Sequence, residues 1–261
     1  MFVRSARWWT TVRSRIGVLG FATLASAAAD SGPPDQIEPL RREEGARRAL
    51  WMRAPGSKQT AILAYLPDAA SLRGPIVFLH GMCDVPEAEC PAFAGSASAD
   101  RLLLCPRADL ACEGGGATWS GASKRRLELA EGALDRAART FPAYRTSARR
   151  GTLIGFSLGA FAALDVAQHS QGRFRHLILI AGKVEPDQVL LEQAGIDAVL
   201  LAAGERDMTR AHLGAVAARL ERRGMRARFM SLGDVGHTFA PDMNAWLKSA
   251  LYWLEGGEPN S

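Results

Sequence analysis

From about residue 47 to the end of the chain, short apolar runs alternate with longer segments of helical period. Ile76–Leu79 (IVFL), His176–Ala181 (HLILIA) and Ala198–Ala203 (AVLLAA) lack the polar residue at every second place that a half-exposed strand would show. Continuous apolar runs of this length fit strands covered on both faces. Further strands are predicted near Ala61–Leu66, Arg101–Cys105, Thr152–Phe156 and Arg226–Leu232. Lys124–Thr140 sets Leu127, Ala130, Leu134, Ala137 and Ala138 at helical spacing, and Thr209–Arg223 does the same with Leu213, Val216, Ala217 and Leu220. Pro241–Leu254 opens on a proline and carries Trp246, Leu247, Ala250 and Leu254 on one face. Strand–helix alternation with buried strands predicts an α/β domain built on a mostly parallel sheet with helices on both sides. Such folds hold their sites at the carboxyl ends of strands.

The first 46 residues stand outside this pattern. Arg4, Arg7, Arg13 and Arg15 precede an apolar run, Ile16–Ala29, that ends in Ala25-Ser26-Ala27-Ala28-Ala29. Positive charge, then hydrophobes, then small residues is the order of a secretory signal peptide. Residues 1–29 are therefore expected to be one, with cleavage after Ala27 or Ala29. Residues 30–46, with Pro33, Pro34, Pro39 and many charges, read as a linker, and 47–261 as the catalytic domain. This changes the charge argument. The full chain has 32 basic and 27 acidic residues, a formal net charge of +5. Without residues 1–29 four arginines leave and no acid does, so the net charge falls to +1. No basic stripe remains to argue for a nucleic-acid partner. No apolar stretch is long enough to predict a stable membrane span.

Cys83 and Cys90 are seven positions apart, and so are Cys105 and Cys112. An even count in an exported chain suggests disulfides. Three pairings are possible. Equal spacing favours the local ones, Cys83 with Cys90 and Cys105 with Cys112. A second pairing stays open: if the strands ending near His80 and Cys105 are neighbours, Cys83 can meet Cys105 and leave Cys90 to Cys112. No C-x-x-C pair points to a metal.

Gly155-Phe156-Ser157-Leu158-Gly159 follows a predicted strand and opens a helix of small residues. That context turns a five-residue pattern into a nucleophile elbow, with the serine on a tight strand-to-helix turn. His80-Gly81-Met82 ends the strand IVFL. Acyl chemistry needs two backbone N–H donors for a developing oxyanion, and Leu158 and Met82 are the candidates. His80 reads as a residue that fixes this turn. The base must come late, and His237, in a glycine-flanked turn after the last strand, is better placed than His169, His176 or His212. Asp207, after AVLLAA, is the candidate acid, with Glu205 and Asp187 as rivals. Trp119, in the loop 106–120, either walls a substrate pocket or packs under that loop. Gly114-Gly115-Gly116 reads as a flexible turn, since no strand-linked G-x-G-x-x-G or P-loop accompanies it.

The order Ser157, Asp207, His237, with the elbow and the earlier His80-Gly81, resembles the α/β-hydrolase fold superfamily over roughly residues 60–255. Its small carboxylesterases, dienelactone hydrolases and prolyl-oligopeptidase-like enzymes are nearest in flavour. Met82 and Cys83 depart from the HGGG pattern of some lipases. The segment Gly182–Ile196, where members of the family insert lids, has 15 residues, which leaves no room for a large cap domain. The resemblance implies a serine hydrolase acting on a small-molecule ester, the amino-terminal pattern makes it secreted or periplasmic, and no cofactor and no metal are expected. A peptidase of the same fold and a non-catalytic binding protein are the alternatives.

Overall fold

A computed structural model of the chain describes residues 38–39, 49–53, 61–68, 73–142 and 150–257. Its strands are β1 (Glu38–Pro39), β2 (Ala49–Arg53), β3 (Ala61–Tyr65), β4 (Ile76–Leu79), β5 (Leu103–Pro106), β6 (Leu110–Ala111), β7 (Ala117–Thr118), β8 (Gly151–Phe156), β9 (Phe174–Ile180), β10 (Ala198–Ala203) and β11 (Arg226–Ser231). Its helices are α1 (Pro86–Glu89), α2 (Pro91–Ala97), α3 (Ser123–Thr140), α4 (Leu158–His169), α5 (Gln188–Gln193), α6 (Arg210–Arg222) and α7 (Met243–Leu254). Nine strands form one sheet in the order β1-β2-β3-β5-β4-β8-β9-β10-β11. The six from β5 to β11 are parallel, and β1, β2 and β3 continue the sheet antiparallel at one edge.

The unbroken apolar runs have the cause their sequence suggested. Along β9, Leu177 and Leu179 pack on one side with α3, α4 and α6, while Ile178 and Ile180 pack on the other with α2 and α7. Along β10, Val199, Leu201 and Ala203 face the first side, and Ala198, Leu200 and Ala202 the second. Successive side chains of a strand point to opposite faces, so a sheet with two dry faces needs an apolar residue at every position.

The signal-peptide reading of residues 1–29 lies outside the described residues. Within the segment read as a linker, Glu38 and Pro39 join the sheet, opposite Trp51 and Leu50 of β2. No helix among the described residues is long and apolar enough to cross a membrane. The connection between β9 and β10 holds a single six-residue helix, α5.

The cysteine pairing differs from both arrangements drawn from the sequence. Cys83 bonds Cys112 and Cys90 bonds Cys105, with Cα atoms 5.6 and 6.4 Å apart. The eight residues from Cys83 to Cys90 do not form a simple loop. They include α1, which leads to Cys90, buried in the core at the start of α2, while Cys83 stays on the exposed turn. Cys105 of β5 points to that same core. Cys112 belongs to the hairpin β6–β7, which reaches back over the turn after β4: Ala117 N–H donates to the Asp84 carbonyl at 3.0 Å. Gly114 and Gly115, both at positive φ, turn that hairpin.

Candidate active site

Ser157 sits between the last residue of β8 and the first of α4, at φ 53° and ψ −117°. A non-glycine residue with φ in the left-handed range is strained, by about 1–3 kcal/mol, and persists only where its surroundings hold it. Here the Ser157 N–H is tied to the Ile180 carbonyl of β9 at 2.8 Å. Gly159 removes the remaining obstacle. A β-carbon there would stand 2.0 Å from the Leu79 carbonyl oxygen and 2.5 Å from that of His80. Only glycine lets the first turn of α4 press against the end of β4. That contact sets the start of α4 against the backbone of Leu79 and His80.

His237 lies in the turn between β11 and α7, and its imidazole bridges two partners. Nε2 is 2.9 Å from Ser157 Oγ, and Nδ1 is 2.9 Å from Asp207 Oδ2. The turn after β10 is laced to the turn carrying His237 by backbone bonds, Glu205 N–H to the Gly233 carbonyl and Arg206 N–H to that of Val235. The Asp207 side chain is fully buried, whereas that of His237 is half-exposed. Burial by itself would raise the Asp207 carboxyl. Bonds from the Thr209 N–H and O–H, both 2.8 Å to Oδ1, and the bond from His237 outweigh it and hold the group below the ordinary carboxylate range. Oδ1 is thus occupied by Thr209, and Oδ2 faces the imidazole.

The rival residues have other work. Asp187 caps α5, accepting from Val189 and Leu190 N–H. Glu205 is exposed and bonds Ser231. His169 is at the exposed end of α4, His176 is buried at the start of β9, and His212 of α6 bonds the Val184 carbonyl.

Leu158 is the first residue of α4, where helix N–H groups have no partner within the helix. Met82 follows Gly81 on the turn after β4, with its side chain exposed. His80 is completely buried, and burial is the main reason its imidazole is held below its ordinary value. Its Nε2 accepts the Ala108 N–H at 3.1 Å, so Nδ1 carries the proton and donates to the Gly81 carbonyl at 2.8 Å. The sequence left Trp119 either as a pocket wall or as a residue packed under its loop. It is 5% exposed, donates its indole N–H to the His80 carbonyl at 2.8 Å, and packs against the His80 ring. It braces the turn from beneath.

Two contributors carried no motif. Thr209 stands two residues after Asp207, a spacing at which a hydroxyl and an N–H can both reach a carboxylate. Phe156 lies 5.3 Å from the His237 ring, and behind it Phe239 and Phe93 extend a chain of aromatic contacts into the core. The imidazole therefore rests on a packed wall.

No family model matches the sequence, and no curated protein is similar to it. Solved structures are. FphF, a fluorophosphonate-binding serine hydrolase of Staphylococcus aureus, is 16% identical, with 80% of this chain and 98% of that one covered at a TM-score of 0.60. The hyperthermophilic esterase of the archaeon Pyrobaculum calidifontis is 16% identical, with 82% of each chain covered at 0.58. Naproxen esterase of Bacillus subtilis is 12% identical, with 80% and 91% covered at 0.58.

Proposed function

We propose that this chain, which has the α/β-hydrolase fold, is a serine hydrolase that cleaves a carboxylic ester through an acyl-enzyme. One observation carries the reading: Ser157 Oγ, the His237 imidazole and the Asp207 carboxylate are joined by two 2.9 Å contacts on a strained strand-to-helix turn. His237 Nε2 takes the proton as Ser157 Oγ attacks the ester carbonyl. Asp207 holds Nδ1–H and balances the imidazolium that forms. The Leu158 and Met82 N–H groups bind the tetrahedral oxyanion. His237 then returns its proton to the departing alcohol, and water, deprotonated by the same imidazole, releases the acid and restores Ser157. The protein acts outside the cytoplasm in this reading, which rests on the two disulfides and on residues 1–29 as a cleaved export signal.

A fluorophosphonate probe should label the protein at Ser157, and a panel of aryl esters, thioesters and peptide amides should show turnover of the esters. Ser157→Ala and His237→Ala should each lower kcat by about 10⁶-fold, with the double variant scarcely worse, because such residues act as a unit. Additive losses would refute the triad. Faster cleavage of amides than of esters would move the assignment to a peptidase, and failure to label would leave a binding protein. The amino-terminal sequence of the exported protein tests cleavage after Ala27 or Ala29.

A further inference from the structure

Glu89 is the last residue of α1 and has no place in the relay, yet its side chain is buried against the turn that carries Met82. The residue is 6% exposed. Its Oε2 accepts the Gly81 N–H at 3.0 Å, and its Oε1 lies 3.1 Å from where a Gly81 β-carbon would stand. The carbonyl of the same glycine accepts from His80 Nδ1 at 2.8 Å. Both backbone polar groups of Gly81 are thus held by buried side chains, one on each side. The peptide between Gly81 and Met82 is planar and trans, so its N–H points away from the carbonyl that His80 holds. With Gly81 clamped at both ends, the direction of the Met82 N–H follows.

We infer that Glu89 is a positioning residue for the oxyanion donor: by holding the Gly81 N–H it fixes where the Met82 N–H points while Ser157 attacks. The inference rests on the hydrolase reading above. It gives the charge of Glu89 a consequence. Burial pushes this carboxyl up to about 8; the Gly81 N–H opposes the rise, and the hydrogen bond to the Asp84 side chain adds to it. Near neutral pH the group is therefore protonated. One oxygen accepts from Gly81 while the O–H is donated to Asp84. Asp84 is the charged group acting on it from the neighbouring turn. Glu87, on its own helix, acts on Tyr65 of β3, and Arg107, after β5, acts on His80. Loss of the Glu89 proton leaves two carboxylates in contact with no bridge, and sets a negative charge one residue from a donor that must receive a second one. Preorganised donors stabilise an oxyanion because nothing has to move when the charge appears. Ionisation of Glu89 removes that condition.

The experiment is kcat and KM against pH for the full exported protein and its Glu89→Gln, Glu89→Leu and Ser157→Ala variants. Glutamine can keep both bonds, accepting from Gly81 and donating to Asp84, but cannot ionise. In the parent protein kcat falls as pH rises through about 8, and KM stays nearly constant. Glu89→Gln keeps its neutral kcat within about threefold and lacks that alkaline fall, while Glu89→Leu loses about 10²-fold in kcat, the scale of one lost oxyanion donor. An unchanged alkaline fall in Glu89→Gln, or an effect of Glu89→Leu confined to KM, overturns the inference. Should Glu89→Leu fail to fold, the profile of Glu89→Gln decides alone. Ser157→Ala separates the two levels: turnover that survives it sinks the hydrolase reading, whereas its loss with no Glu89 effect sinks the positioning role only.

Discussion

Thr209 shows how a single residue can set the chemistry of a neighbour it does not resemble. Its N–H and O–H both go to Asp207 Oδ1, which leaves Oδ2 for His237. Thr209→Val keeps the N–H bond and removes the other. A hydrogen bond to a charged group is worth about 1.5–3 kcal/mol, so kcat should fall by about tenfold or more with KM little changed. The same change has a pH signature. Asp207 is held below its ordinary value of 3.8. Its contribution to stability is complete above that value and is lost as pH falls through the lower, folded-state value. Thr209→Val weakens this hold, so the gap in Tm between parent and variant should be widest near neutral pH and close in acid. A gap that widens in acid would contradict the assignment. Residues of this kind differ in how visible they are before folding. Ser157 and Asp207 could be proposed because each follows an apolar strand, and His237 because it lies in a glycine-flanked turn after the last strand. Glu89 was not, since its main partner is a backbone N–H eight positions away and its helix has only four residues. Trp119 was visible as a large aromatic in a loop, but its direction was not: the His80 carbonyl decides that.

Among elements, those with a long repeat or an unbroken apolar run were read well, and the short mixed ones poorly. α3, with 18 residues, repeats its apolar face often enough to be recognised. β2 buries only Leu50 and Met52 in five residues, and two positions are too few to establish a period of two. The hairpin β6–β7 has two residues per strand, and it is this hairpin that decides which cysteine meets Cys83. Equal spacing of cysteines misled because α1 interrupts the segment between the first two. Peptide mapping without reductant should give Cys83–Cys112 and Cys90–Cys105 and neither local pair. Replacing both Cys83 and Cys112 by serine should cost about 3 kcal/mol of stability in the chain-entropy estimate. The turn they brace carries Met82, so kcat should drop while the fluorophosphonate site remains Ser157. Unchanged kcat in a folded variant would show that the hairpin alone orders the turn.

At the scale of the whole molecule, the site is a product of topology. Ser157 follows β8, Asp207 follows β10, His237 follows β11 and Met82 follows β4, and all four strands are parallel members of one sheet. Residues up to 155 positions apart in sequence, Met82 and His237, therefore both follow strands that end at a single edge. The two disulfides add a covalent pattern to this arrangement. One lies wholly inside the span of the other, since residues 90 and 105 fall between 83 and 112. Together they make this stretch a pair of concentric rings closed on the main chain. A protease that cuts once between residues 84 and 111 breaks the backbone without dividing the molecule. On an electrophoresis gel the nicked protein should run as one band until thiol is added, and then as two.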